Sequence, residues 1–134
     1  MNATIEELDE FTRAYLLCAL WTWDENAPSG QYEFSGRPEE LFPRFSDEAL
    51  ERAKADCAKF QSENREMLAA FQPKDAHNGH DFWLTRNGHG AGFWDRPQTA
   101  ESKFEELGDL LTDAAHKFRE CDLYEGDDGK LYLS

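Results

Sequence analysis

Basic residues are scarce in this chain. Fourteen lysines and arginines face 28 aspartates and glutamates over 134 residues, giving a net charge of -14. Such a surface repels nucleic acid and anionic membranes and attracts basic proteins, so direct binding to duplex DNA is disfavoured. Long apolar runs are missing too. The longest, AYLLCALW from Ala14 to Trp21, falls short of the ~18 residues a membrane-spanning helix needs. It also starts too late, behind an acidic N-terminus, to read as a signal peptide. Cysteine is limited to Cys18, Cys57 and Cys121, widely spaced and without a CxxC pair. An odd, scattered set does not make a disulfide framework; it suits buried, reduced thiols in a cytoplasmic protein. Three catalytic signatures are absent as well: a nucleophile elbow, a phosphate-cradling glycine loop before a helix, and an HExxH helix. No cofactor is expected.

What is present is enough to build a core, with 40% hydrophobic and 13% aromatic residues. The length suits one domain over residues 1–134. Thr4 to Glu7 has the spacing of a capping box. Beyond it Ile5, Leu8, Phe11, Tyr15, Leu16 and Ala19 recur at three and four, predicting a first helix to about Trp21–Trp23 whose second half is buried on several sides. Residues 24–45 hold three of the five prolines and two glycines. They predict a long ordered loop, with a short turn near Pro38–Leu41, held by Tyr32, Phe34, Phe42 and Phe45.

Ser46, followed by Asp47 and Glu48, predicts the start of a second helix. Its apolar seam is Leu50, Ala53, Cys57, Phe60, Asn64, Met67 and Phe71, and Pro73 stops it. Asn64 on this seam either fixes a pairing register or sits at a wet rim, and the rim is the simpler account. Thr99 or Ser102 predicts the cap of a third helix with core positions Phe104, Leu107, Leu111, Ala114, Ala115 and Phe118. Two β-prone runs around Asp127-Asp128-Gly129 predict a closing hairpin.

Residues 80–96, HDFWLTRNGHGAGFWDR, lie in the one neutral stretch: residues 72–97 carry 3 acids and 3 bases. Phe82–Thr85 and Phe93-Trp94 look strand-like around the turn-forming Asn87-Gly88-His89-Gly90, predicting another hairpin. The expected fold is therefore α+β, three helices packed on a small antiparallel sheet built from two hairpins, in the order ααββαββ. One hairpin face would pack on the helices, and the other would show a tryptophan. Equally, the motif would only close the core if both faces are covered.

The 80–96 motif, with AYLLCALW near the start and DLYEGDDGKLYL at residues 122–133, resembles a family of small acidic proteins encoded by bacteriophages and plasmids. The resemblance covers most of the chain, less clearly in the 24–45 loop and the middle of the second helix. Pro97 stands where the family pattern has a glycine. The resemblance implies a mobile-element origin, hence the cytoplasm of a bacterial host, and brings no catalytic residues with it.

Together these features predict a non-enzymatic accessory protein that binds and inhibits a host protein, in the manner of an anti-defence or anti-CRISPR factor. The partner would be basic or nucleic-acid-binding, such as a defence complex. Two contact surfaces are candidates. Carboxylates of the first helix (Glu6, Glu7, Asp9, Glu10) and of the third helix and tail (Glu101, Glu105, Glu106, Asp109, Asp113, Asp127, Asp128) would imitate a phosphate track, while Trp83, Arg86, His89 and Trp94 would form an aromatic hairpin surface. The alternative is a small-ligand or metal-binding enzyme centred on His77, His80, His89 and Asp81, with Asp95 nearby. Its weakness is that none of these sits in a ligand motif on a regular helix.

Overall fold

The computed structural model describes residues 7–26 and 38–134, with side chains described for 7–23 and 41–134. Four helices dominate: α1 (Glu10–Asn26), α2 (Asp47–Phe71), α3 (Asp75–Arg86) and α4 (Ser102–His116). Short 3-10 turns cover Pro38–Arg44 and Pro97–Ala100. The only sheet among the described residues is a two-stranded antiparallel hairpin, β1 (Leu123–Glu125) with β2 (Leu131–Leu133).

Caps explain several boundaries. Asp9 accepts the Thr12 amide on Oδ1 at 2.8 Å, so α1 begins at Glu10 and not at the expected box. Thr4 lies outside the described residues, as do Tyr32 and Phe34 of the expected loop. Ser46 caps α2 as expected, its Oγ accepting the Ala49 amide at 3.0 Å. Pro38–Arg44 is a full 3-10 turn, and Phe42 and Phe45 beside it are buried. The β1–β2 hairpin docks where that turn meets α2. There Ser46 donates its amide to the Leu131 carbonyl at 2.9 Å, and Arg44 pairs with Glu125 at 2.6 Å.

Asn64 corrects the expected wet rim. It is buried and leaves helical geometry at φ -130, ψ 20, and its Nδ2 donates to the Phe60 carbonyl at 2.9 Å. The kink shifts the phase of the seam, so Leu68 is buried and Met67 only half-buried. α4 is preceded by Glu101, which makes no side-chain cap bond, in place of the expected Thr99 or Ser102 cap. Leu111 and Ala115 are buried, whereas Phe104, Leu107, Ala114 and Phe118 pack at the edge of the core.

The main correction concerns residues 80–96. Among the described residues there is no second hairpin and no ααββαββ order. His80–Arg86 is the second half of α3, and only the glycine-rich stretch after it is non-helical. Every residue from Asp81 to Arg86 is buried, so this half of α3 is enclosed on all sides and shows no amphipathic period for a sequence pattern to reveal. Gly79 lets α3 approach α1 closely, because a Cβ at 79 would collide with the Phe11 carbonyl. Gly92, at φ 154, turns the chain back so that the Phe93 amide donates to Thr85 Oγ1 at 3.2 Å.

That return folds the motif onto an aromatic core. Phe82 stacks on Phe60 at 4.1 Å between centroids, and Phe93 meets the same ring at 5.8 Å. Tyr15 packs edge-on to Trp83 at 5.2 Å. Offset and edge contacts of this kind add about 0.5–1.5 kcal/mol each beyond area burial.

Candidate functional site

Trp83 and Arg86 belong to the interior, at 3% and 2% exposure, and cannot form the expected stacking surface. The Trp83 indole N–H donates to Thr22 Oγ1 at 2.9 Å. Arg86 is the hub of a buried network. Nη1 donates to Asp56 at 2.8 Å and Tyr15 Oη at 3.0 Å, Nη2 to the Phe118 carbonyl at 2.7 Å, and Nε to the Arg119 carbonyl at 2.8 Å. These contacts lock α3 to α2 and to the segment after α4; their role is structural. Of the expected aromatic surface, only His89 and Trp94 are exposed.

The four residues of the enzyme alternative are divided between two places. His77, His80 and Asp81 line a cleft of about 570 Å³ between α1, α3 and the Pro97–Ala100 turn. His89 lines a different cleft of about 350 Å³, beside Thr22, Trp83 and Cys121. No group of three or more His, Cys, Asp or Glu side chains among the described residues is placed to hold a metal ion. Asp95 is exposed, and the ion pair is made by its neighbour Arg96, whose Nη2 meets Asp81 at 2.8 Å. No nucleophilic cysteine appears either. Cys18, Cys57 and Cys121 are buried and unbonded, and burial pushes each thiol up, away from thiolate.

The larger cleft has a polar wall and an apolar floor. Asp81 is held from both sides, Oδ1 by Arg96 and Oδ2 by Gln72 Nε2 at 2.7 Å. Burial raises its pKa, and the Gln72 hydrogen bond and the Arg96 charge pull the other way. Gln98 Nε2 reaches Gln72 at 3.4 Å, and Ala14, Leu17, Ala76 and Pro97 supply the apolar part. Burial lowers the pKa of His80, an effect that Asp81 opposes, which favours the neutral imidazole. The His80 ring lies 6.2 Å from that of Trp21, which is 49% exposed. Sequence reasoning missed Trp21, Gln72 and Gln98. Trp21 hid inside an apolar run, and nothing in the spacing of two glutamines marks a wall.

The α4 carboxylates stand elsewhere. Glu101, Glu105, Glu106, Asp109 and Asp113 are all exposed, and none of them pairs with a lysine or arginine among the described residues. Leu110, 46% exposed, sits at the edge of this face. The turn carrying Trp94, itself 45% exposed, is pressed against α4, since a Cβ on Gly108 would meet the Phe93 carbonyl at 2.8 Å.

Comparison of the chain with family models, curated proteins and solved structures returns no match. No helix among the described residues is long and apolar enough to cross a membrane.

Proposed function

We propose that this protein is a non-enzymatic accessory protein of phage or plasmid type. It binds and blocks a basic, nucleic-acid-handling protein in the cytoplasm of a bacterial host, using the acidic face of α4. The carrying observation is that face itself: five exposed carboxylates without cationic partners, next to an exposed leucine. Glu105, Glu106, Asp109 and Asp113 span about 12 Å of helix, or one charge every ~3–4 Å, against ~3.4 Å per phosphate along one DNA strand. A surface arranged in this way competes with a phosphate backbone for lysines and arginines. Leu110 and Trp94 supply the apolar contacts that such a charged patch needs for a lasting complex.

The test is parallel capture from bacterial lysate by the wild-type chain and by a variant carrying Glu105→Gln, Glu106→Gln, Asp109→Asn and Asp113→Asn. A nucleic-acid-handling protein should be retained by the wild type at ~0.1 M salt. It should be lost at ~1 M, where the Debye length falls from about 10 to about 3 Å, and lost in the variant at either salt. Equal capture by both chains would overturn the assignment of the α4 face.

A further inference from the structure

The cleft between α1, α3 and the Pro97–Ala100 turn has no part in the α4 surface, and its chemistry is different. Two side chains that line it, Arg96 and Gln98, each keep a polar atom without a hydrogen-bond partner among the described residues. Arg96 uses Nη2 on Asp81 and Nε on the Gly92 carbonyl at 3.1 Å, which leaves Nη1 unengaged. Gln98 uses Nε2 on Gln72 and on the Phe71 carbonyl, which leaves Oε1 unengaged. A donor and an acceptor, two residues apart, thus edge the same opening. His80 and the apolar Ala14, Leu17 and Ala76 line the same cleft. A smaller recess of about 240 Å³, lined by Leu17, Cys18, Trp21 and His80, continues past the imidazole.

We propose that this cleft binds an uncharged nucleobase or nucleoside, its acceptor–donor edge on Arg96 and Gln98 and its ring against Leu17 and His80. The volume lies within the ~300–1,000 Å³ of small-molecule sites, and the lining has their usual form, an apolar body with a few convergent polar groups. Charge narrows the class. The Asp81–Arg96 pair is internally neutralised, and the chain around it carries -14. A triphosphate therefore meets repulsion that a base or nucleoside does not. A planar ring with a hydrogen-bonding edge fits where a flexible polyanion does not. The neutral form of His80, which burial favours, keeps one ring nitrogen as an acceptor and suits an uncharged ring neighbour.

The experiment is calorimetric titration of the full chain with adenosine, and in parallel with ATP and with indole. Ala76→Trp fills the cleft from the half-buried side of α3. Gln98→Leu removes the acceptor without adding bulk, and circular dichroism verifies the fold of both variants. Saturable adenosine binding is expected, weakened about tenfold or more by either substitution, the equivalent of one lost hydrogen bond. ATP and indole should both bind more weakly than adenosine. Absence of saturable adenosine binding, or binding unchanged in both folded variants, would overturn the site. ATP binding tighter than adenosine would overturn the neutral-ligand class, and indole binding equally well would overturn recognition by the edge. Because the cleft does not include α4, these results are independent of partner capture.

Discussion

The carbonyl of Arg119 accepts a 2.8 Å hydrogen bond from Nε of the buried Arg86, and Arg119 is held at φ 63 to present it. It is the only non-glycine residue with positive φ among those described. One arginine thus adopts a left-handed backbone so that another, in the core, has its donors satisfied. Removing the second should be costly. Arg86→Met leaves the Asp56 carboxylate, the Tyr15 hydroxyl and two carbonyls without their donor. It should lower stability by about 3 kcal/mol, the low end for a broken buried pair because Asp56 is partly exposed. Urea denaturation measures it, and stability equal to the wild type would show that the network contributes little.

Arg119 itself gives a backbone test. Arg119→Gly relieves the left-handed strain while raising the entropy of the unfolded chain, so stability should change by less than about 1 kcal/mol. Arg119→Val puts a β-branched residue at the same φ and should cost about 1–2 kcal/mol. The ordering of the two variants in thermal melts is the decisive readout.

Gly79 should tolerate nothing larger. An added methyl at this position meets the α1 backbone at Phe11, which cannot rotate away as a side chain would. Gly79→Ala should therefore cost about 1–3 kcal/mol by forcing α1 and α3 apart, despite the gain in helix propensity. An alanine variant as stable as the wild type would show that the two helices separate easily.

The pH dependence of stability should carry a His80 signature. Burial lowers its folded pKa below the ordinary 6.5, with Arg96 and His77 acting in the same direction and Asp81 opposing. The folded chain then binds fewer protons than the unfolded chain. This contribution is fully present above 6.5 and is lost as pH falls through the folded value. The Tm should fall between pH 7 and pH 5, and His80→Gln should flatten that part of the profile. Asp81, raised by burial, acts with the opposite sign in both proteins. Identical pH profiles for the two chains would refute the assignment.

Much of the framework could be read from residue spacing. Three-and-four periodicity from Ile5 to about Trp21–Trp23, from Leu50 to Phe71 and from Phe104 to Phe118 pointed to helices, and α1, α2 and α4 lie on those stretches, each with a dry face and a wet face. Ser46 and Pro73 bracketed α2, and Asp-Asp-Gly marked the β1–β2 turn, since these residues act within a few positions of themselves. The α4 carboxylates could be placed on one exposed face for the same local reason.

The 80–96 motif could not be read that way. Phe82-Trp83-Leu84-Thr85 is a β-prone run, and Gly79 before it weakens a helix by propensity, so local preference pointed to a strand. What decided for helix was burial on every side: Gly79 against α1, Phe82 on Phe60, Trp83 under Thr22, and Arg86 clasped by three other parts of the chain. These contacts join residues far apart in sequence. The cleft arises similarly, when the return at Gly92 brings Arg96 to Asp81. The sequence by itself determined what acts locally: the caps, the turns, the amphipathic periods and the strong negative charge. Only the tertiary structure decided which aromatics are core, which arginine is a hub and which polar groups meet, because those outcomes depend on partners that local spacing does not encode.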